Sequence, residues 1–594
     1  MFPLTCCFKK RDAVYNEASS KLGKGVLNGS REDYYDFLAP SVYHLQTSVL
    51  SSLQKHGFDS NSTLYDIENL RSETPGLIRQ KGASVECPID HKMGAAYVHC
   101  LEDDGPDHSG MATHMLSYAW GYKIQDIVDT LINYCDRNDL DTKRTYIWIC
   151  ALCNNQHRVF KRNVTFQDFE QIFNRRVEGI GNVLAMMTPW DDPAYIKRVW
   201  CVFEMYTAKV SEGTNIEIVM PPDEKASLMN AVLRPTDNSG KSGLDDLFNA
   251  LALTKVQDAQ ATSQQDKLNI LKLIEDGPGF EKFNAEINRF LRSWIENTVL
   301  EAASDVEEKL NNDQEEVGQY TSTETATYLT FCASFFSRIG AHEKALELHT
   351  KALKIYGTLE DSENAKELMA RCYNNMGTEY ESLGMYEEAL ENHHKCRDTF
   401  EEVYGKDHEN TSVSYFNIGA VLKKMEKPQE ALEMYEKSMD IDTRIKGENH
   451  IDVGLSLSYI GRVKQQNGDY EGAVDNFRKS LRIRKDTFGD SHPDTAVGYG
   501  DMGLLCHMKE DYDEAIEYHK KAIKINEQIL GDTHPDSASI YQNLGGAYYE
   551  KGLFDEALKF HRKAHKAYMA SFGPDHPKTK ISVEWINIVK DAMS

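Results

Sequence analysis

Trp200-Cys201-Val202-Phe203-Glu204 sets an indole and a carboxyl group four residues apart, so on a helix the two share one face. An apolar neighbour of that size desolvates a carboxylate and disfavours its charge, unless the glutamate sits on the helix margin and is merely solvated. Other reactive groups point less far. Cys150-x-x-Cys153 with His157 resembles half a zinc site, but it falls in the apolar run TYIWICAL (145–152) and lacks a second ligand pair, so buried thiols and no metal are expected. Cys87 with His91, and Cys100, are likewise unpaired. Gly240-Lys241-Ser242 has the ending of a phosphate loop, yet Pro235 stands where the first glycine belongs and no strong strand precedes it. Cys6-Cys7 before Lys9, Lys10 and Arg11 suits lipidation backed by a basic patch.

The elements around Glu204 alternate. Apolar runs at 113–119, 145–152, 181–187 and 215–221 read as strands, and helical periodicity fills the gaps, with one helix from Tyr195 to about Val210. That alternation predicts a parallel sheet covered on both faces, an α/β domain over 111–222. Residues 1–110 form a partly helical extension whose clearest amphipathic stretch runs from Tyr34 to Leu53. Residues 223–324 read as a helical connector, clearest over 256–274 and 283–300.

From 325 the pattern becomes periodic. Gly405, Gly447, Gly489, Gly531 and Gly573 recur every 42 residues, and so do His408, His450, His492, His534 and His576. Ala389, Ala431, Ala473, Ala515 and Ala557 keep the same phase, as do Gly377, Gly419, Gly461, Gly503 and Gly545. Each period reads as a helical hairpin: a first helix whose glycine admits close approach, a short turn, a second helix with a small alanine, and a glycine C-cap. A divergent sixth copy spans about 328–360, and the segment after Pro577 caps the last hairpin.

This pattern resembles tetratricopeptide repeats of the kinesin-light-chain kind, with the inter-repeat loop Gly-x-x-His-Pro-Asp. The resemblance covers about 325–590 and implies an α-solenoid that binds a peptide or partner protein in a concave groove lined by the first helices. One groove position reads Asn375, Asn417, Tyr459, Asp501 and Asn543; asparagine offers both a donor and an acceptor to an extended main chain. Lysines recurring on second helices, such as Lys437 and Lys479, read as solvated.

The α/β domain is distantly similar to TIR domains. HMLSYAW (114–120) resembles their first signature box and Trp200-Cys201-Val202-Phe203-Glu204 their Trp-Cys-x-x-Glu segment. In TIR domains that cleave NAD the corresponding glutamate is catalytic. The resemblance therefore implies Glu204 as the carboxylate, Trp200 as pocket wall, Ser117, Tyr118 and Trp120 at the ligand, NAD as substrate rather than resident cofactor, and self-association. Breaking the ribosyl–nicotinamide bond passes through an oxocarbenium-like state that a carboxylate stabilises. The acidic residue that many TIR domains carry after the second strand is missing, as is their Arg-Asp-x-x-Pro-Gly box, and four strands can be read where TIR domains have five.

The composition fits this arrangement. A net charge of -26 over 594 residues disfavours nucleic acid as a partner and suits basic peptides. No apolar stretch is long enough to span a bilayer, and twelve cysteines without a secretory layout read as reduced thiols. The sequence thus predicts a multidomain protein, α/β followed by all-α: a cytoplasmic adaptor, membrane-associated if Cys6 and Cys7 are lipidated. An NAD glycohydrolase using Glu204 is the enzyme alternative. A kinesin cargo adaptor is the third, weakened because the long heptad coiled coil of kinesin light chains has no counterpart.

Overall fold

Four short apolar segments make the central sheet of the N-terminal half: β1 (His114–Ser117), β2 (Ile147–Ile149), β3 (Asn182–Met186) and β4 (Asn215–Val219). They pair in the order β2-β1-β3-β4, every pair parallel. β-Branched and aromatic side chains buried on both faces are what a parallel sheet requires, and β1 and β2 are buried throughout. The helices between them are α1 (Ile124–Arg137), α2 (Phe166–Ile180) and α3 (Val199–Val210), followed by α4 (Pro222–Leu233), α5 (Gln264–Asp276) and α6 (Phe280–Asn311).

The computed structural model describes residues 31–68, 75–157, 166–190, 193–233, 255–261, 264–311, 322–359, 362–574 and 576–594. The chain divides into two compact units between Asp305 and Val306, within α6. The lipidation candidates Cys6 and Cys7 and the Gly240-Lys241-Ser242 loop lie outside the described residues.

Residues before 111 build onto the sheet domain. Leu38–Pro40 pairs antiparallel with Ser109–Met111, and the Val42 N–H donates to the Thr145 carbonyl at 3.0 Å. The amphipathic stretch expected from Tyr34 to Leu53 is broken at Pro40 into this short strand and a run of helical turns over 42–55. The strand expected over 145–152 ends at Ile149. Cys150–Cys153 is a helical turn at its carboxyl end, closed by the Ile149 N–H on Cys153 Sγ at 3.3 Å. The helix expected from Tyr195 begins at Val199, because residues 194–197 form turns.

In the second unit the described residues hold helices and no strand. Six hairpins follow one another: α7 (Ser322–Arg338) with α8 (His342–Tyr356), α9 (Glu363–Ser382) with α10 (Tyr386–Tyr404), and α11 (Glu409–Lys424) with α12 (Pro428–Lys446). Then come α13 (Ile451–Gln466) with α14 (Tyr470–Phe488), α15 (Pro493–Met508) with α16 (Tyr512–Ile529), and α17 (Pro535–Glu550) with α18 (Phe554–Phe572). The helix α19 (Pro577–Met593) packs on the last pair.

Three periodic residues acquire physical reasons here. Gly405, Gly447, Gly489 and Gly573 are C-caps with φ between +76° and +94°, and Gly531, at +88°, follows the cap of α16; a side chain there would be strained. The histidines are N-caps. Nδ1 of His408, His450, His492, His534 and His576 accepts the N–H two residues on, each at 3.2 Å. In three of the five, the ring stacks on the aromatic that ends the preceding helix: Tyr404, Phe488 and Phe572. The mid-helix glycines make room for a ring of their own second helix. A Cβ on Gly377, Gly419, Gly461, Gly503 or Gly545 would stand 2.6–3.0 Å from His393, Tyr435, Phe477, His519 or His561.

Candidate functional site

Ser117 is the last residue of β1, at the carboxyl edge of the sheet, where β2 lies on one side and β3 on the other. Strand order reverses at this point, and open α/β sheets bind ligands in the crevice such a reversal leaves. Helix α3, between β3 and β4, delivers Glu204 to the same place. The buried Ser117 hydroxyl donates to Glu204 Oε2, and the Tyr195 hydroxyl lies 2.7 Å from Ser117 Oγ. With the serine proton directed at the carboxylate, Tyr195 is the donor in the second bond. Two hydroxyls in series thus point at one carboxyl group.

Glu204 keeps part of its surface accessible, but protein crowds it on every side. That desolvation raises its pKa to about 7, and the Ser117 hydrogen bond, which favours the anion, offsets only part of the rise. The group is poised to change charge near neutrality.

The remaining predicted residues meet around Cys150. Trp120 Nε1–H donates to Cys150 Sγ at 3.3 Å, and the Tyr118 hydroxyl stands 3.4 Å from the same sulfur. Cys201 Sγ–H donates to the Tyr118 carbonyl at 3.5 Å, which ties α3 to the end of β1. Burial pushes the Cys150 thiol up to about 11, and the nearby Glu204 charge adds to it, so Cys150 is a neutral fixture and not a nucleophile. Trp200 is half-buried and set edge-on to Phe203, with ring centroids 6.4 Å apart. Ser117 and Glu204 therefore touch directly, Tyr118 and Trp120 join through Cys150, and Trp200 packs one turn away. Tyr195 was not foreseen: its role depends on the turn before α3, which the helical periodicity concealed. His157, weighed with the cysteines as a zinc ligand, instead places Nε2 3.1 Å from the Arg79 carbonyl.

The array presents a second candidate surface. The first helices α7, α9 and α11 line a cavity of about 420 Å³, with Thr330, Phe331, Asn374, Asn375 and Val413 among its walls and Tyr356 and Phe400 from second helices. The five groove positions have different fates. Asn375 lines this cavity. Asn417, half-buried, donates to Asn374 Oδ1 at 2.8 Å and so ties α11 to α9. Tyr459 is edge-on to Phe416, with the Arg462 guanidinium 5.2 Å above its ring. Asp501 is sealed between α13 and α15, accepting from Ser458 at 2.6 Å and Arg462 at 3.0 Å. Asn543 is half-buried on α17.

One turn before these positions the register reads Arg371, Val413, Leu455, Val497 and Ser539, and it continues to Ile581 on α19. Its four apolar members are 37–51% exposed. Large apolar side chains are left in water at four of these six positions, with Arg371 and Ser539 at the other two, and together they form an exposed apolar stripe. The 42-residue spacing carried this signal, but exposure was what separated these residues from core.

A family profile for the tetratricopeptide repeat matches residues 368–444, 452–528 and 506–570. The array is therefore built of tetratricopeptide repeats. Comparison with curated proteins returns no match. Among solved structures, BtubC (BKLC) from P. vanneervenii is similar at 18% identity over 40% of this chain and 94% of its own, with a TM-score of 0.36. A kinesin light chain-like protein of nearly identical TPR-like repeats from Podosopora anserina matches at 19% identity over 34% and 96%, TM-score 0.30. PilW, a type IV pilus biogenesis factor, matches at 14% over 44% and 99%, TM-score 0.32.

Proposed function

We propose that this protein is an interaction scaffold whose repeat array holds an extended segment of a partner along its first-helix face. The stripe of exposed apolar residues in register, Val413, Leu455, Val497 and Ile581, carries this reading, and the cavity at Asn375 gives it a place to start. Asn374 and Asn375 supply main-chain partners, and Phe331 and Phe400 an apolar seat for one side chain. Peptides selected on the full chain from a random display library test the surface. Binding should fall at least tenfold on Val413→Glu or Asn375→Ala and be unchanged by Lys437→Glu, on a second helix. Peptides sensitive only to Lys437 would overturn it.

A second reading rests on the Tyr195–Ser117–Glu204 chain. We infer a TIR-like domain that cleaves NAD, with Glu204 beside the ribose as the charge that stabilises an oxocarbenium-like state. A desolvated carboxyl group titrating near neutrality at a strand-order reversal is the observation that favours it. Nicotinamide release by the full chain, clustered through its repeats, is the measurement. Glu204→Gln should lower the rate by about two to three orders of magnitude, the scale of one preorganised electrostatic partner. Clustered wild type that releases none leaves the scaffold alone.

A further inference from the structure

β4 is an edge strand, and its outer side opens on a site that neither reading uses. In the ladder with β3 the Asn215 N–H donates to the Gly181 carbonyl, and the Val219 carbonyl accepts from the Met187 N–H. Backbone groups alternate in direction along a strand, so the N–H and C=O of Ile216 and Ile218 point the other way. Among the described residues no strand pairs with that side. Sheet edges are ordinarily short, covered or charged, because a row of unpaired donors and acceptors is a template for another chain.

Here the edge opens on a cavity of about 310 Å³. Five successive residues, Ile216 to Met220, line it, and β-strand spacing makes that wall about 16 Å long. The opposite wall is one stripe of α6, Phe290, Trp294, Asn297 and Glu301, at spacings of four, three and four, which is one helix face. Its shape is thus that of a missing strand: a polar edge along one side and an aromatic wall along the other.

The charges select the occupant. Arg137, Lys209 and Lys225 line the cavity against Glu217 and Glu301. Burial raises the Glu217 pKa, so its negative charge is disfavoured. Arg137 and Lys225 stand 3.6 Å and 3.9 Å from Glu301, loose enough to leave donors for an incoming carboxylate. The Lys209 ammonium lies 5.6 Å over the Phe290 ring. The rest of this acidic chain is screened beyond about 8 Å at physiological salt, so these local cations decide the preference.

We infer that the outer edge of β4 takes up an extended acidic segment of a partner protein as an added strand. Its main chain pairs with Ile216 and Ile218, its apolar side chains meet Phe290 and Trp294, and its carboxylates meet Arg137, Lys209 and Lys225.

The probe is the capped hexapeptide acetyl-Asp-Val-Glu-Val-Glu-Ile-amide, added to the full chain and followed by fluorescence anisotropy and by hydrogen exchange. Exchange should slow across 216–220. Affinity should fall at least tenfold when the peptide is N-methylated at the set of alternate amides that faces β4 and be little changed when the other set is methylated, and it should fall at least tenfold when its acids become lysines. Ile216→Pro removes one outward N–H at a position where an edge strand tolerates proline, and should weaken binding to the same degree. If that variant fails to fold, the methylated peptides on the wild-type chain carry the same test. No protection at 1–2 mM peptide, or equal binding of the two methylated peptides, or undiminished binding of the lysine peptide, overturns the inference. So does a wild-type dimer that Ile216→Pro dissociates, since the edge would then be taken by a second copy.

Discussion

Both halves of this molecule bury titratable side chains, and they do it in opposite ways. In the α/β unit one carboxyl group, Glu204, is taken out of water and given two hydroxyls in series. In the array His393, His519 and His561 are sealed against glycines with neither ring nitrogen hydrogen-bonded among the described residues. Phe477 and Tyr435 fill the same place in the repeats between, so the histidines there serve as flat apolar plugs. Burial of an ionisable group is therefore no mark of function by itself. A partner arrangement that prepares one charge state, placed at a strand end, is.

The two arrangements should give Glu204 and the array histidines opposite responses to pH; His44 and His114 in the α/β unit, also lowered to about 4, respond as the array histidines do. Burial lowers the pKa of His349, His393, His519 and His561 from 6.5 to about 4. Their contribution to stability is intact above about 6.5. It is lost as pH falls toward 4, because only the unfolded chain takes up protons in that window. Each ring is worth roughly 3 kcal/mol across it, at 1.36 kcal/mol per unit. Scanning calorimetry from pH 7 to 4.5 should show the array transition dropping steeply, and His393→Phe with His519→Phe should flatten the slope. An unchanged slope would break the comparison on the array side.

Glu204 runs the other way. Its folded pKa, about 7, is above the ordinary value of 4.5, so the native state holds the extra proton and stability falls as pH rises from 4.5 through 7. Glu204→Gln should stabilise the α/β unit at pH 8 by about 2 kcal/mol, discounted from the full shift because water reaches part of the side chain. At pH 4.5 it should be neutral. Denaturant unfolding at the two pH values measures it, and equal stabilisation at both would mean that the carboxyl group is not desolvated.

Two adjacent glycines on α17 sharpen the array side further. A Cβ on Gly545 would sit 2.8 Å from the His561 ring, whereas one on Gly546 meets its nearest atom, on His507, at 3.8 Å. Gly545→Ala should cost about 1–3 kcal/mol by overpacking. Gly546→Ala should gain up to about 1 kcal/mol from helix propensity. Thermal unfolding of the pair distinguishes a packing requirement from a merely periodic residue. The smallest effect is expected at the N-caps: His492→Ala should cost about 1 kcal/mol, read as a shift in the denaturant midpoint.

How far these features could be read from the sequence differs between the halves. In the array, identical spacing of Gly405, Gly447, Gly489, Gly531 and Gly573 fixed hairpin number, phase and cap, because one local geometry recurs. Side-chain pairings across helices did not follow: Asn417 meets Asn374, and Asp501 is sealed by Ser458 and Arg462, contacts set by the stacking angle and not by spacing. In the α/β unit alternation gave the strands, and the family resemblance gave Ser117 and Glu204. Tyr195 stayed hidden because nothing in the 3.6-residue period says where a helix has not yet begun. The Cys150–Cys153 turn was misread as strand because a buried apolar helical turn and a buried strand look alike over four residues.

The loop between repeats has a consequence for how this protein varies through time. From α10 onward each joint uses the same parts, a left-handed glycine closing one helix and a histidine opening the next, whereas the joint from α8 to α9 has a right-handed Gly357 and a Ser362 cap. An in-frame duplication or loss of one 42-residue period among the repeats from α10 onward regenerates an intact joint. Copy number can change by a single recombination event without leaving any of these helix ends uncapped, and the length of the array changes with it.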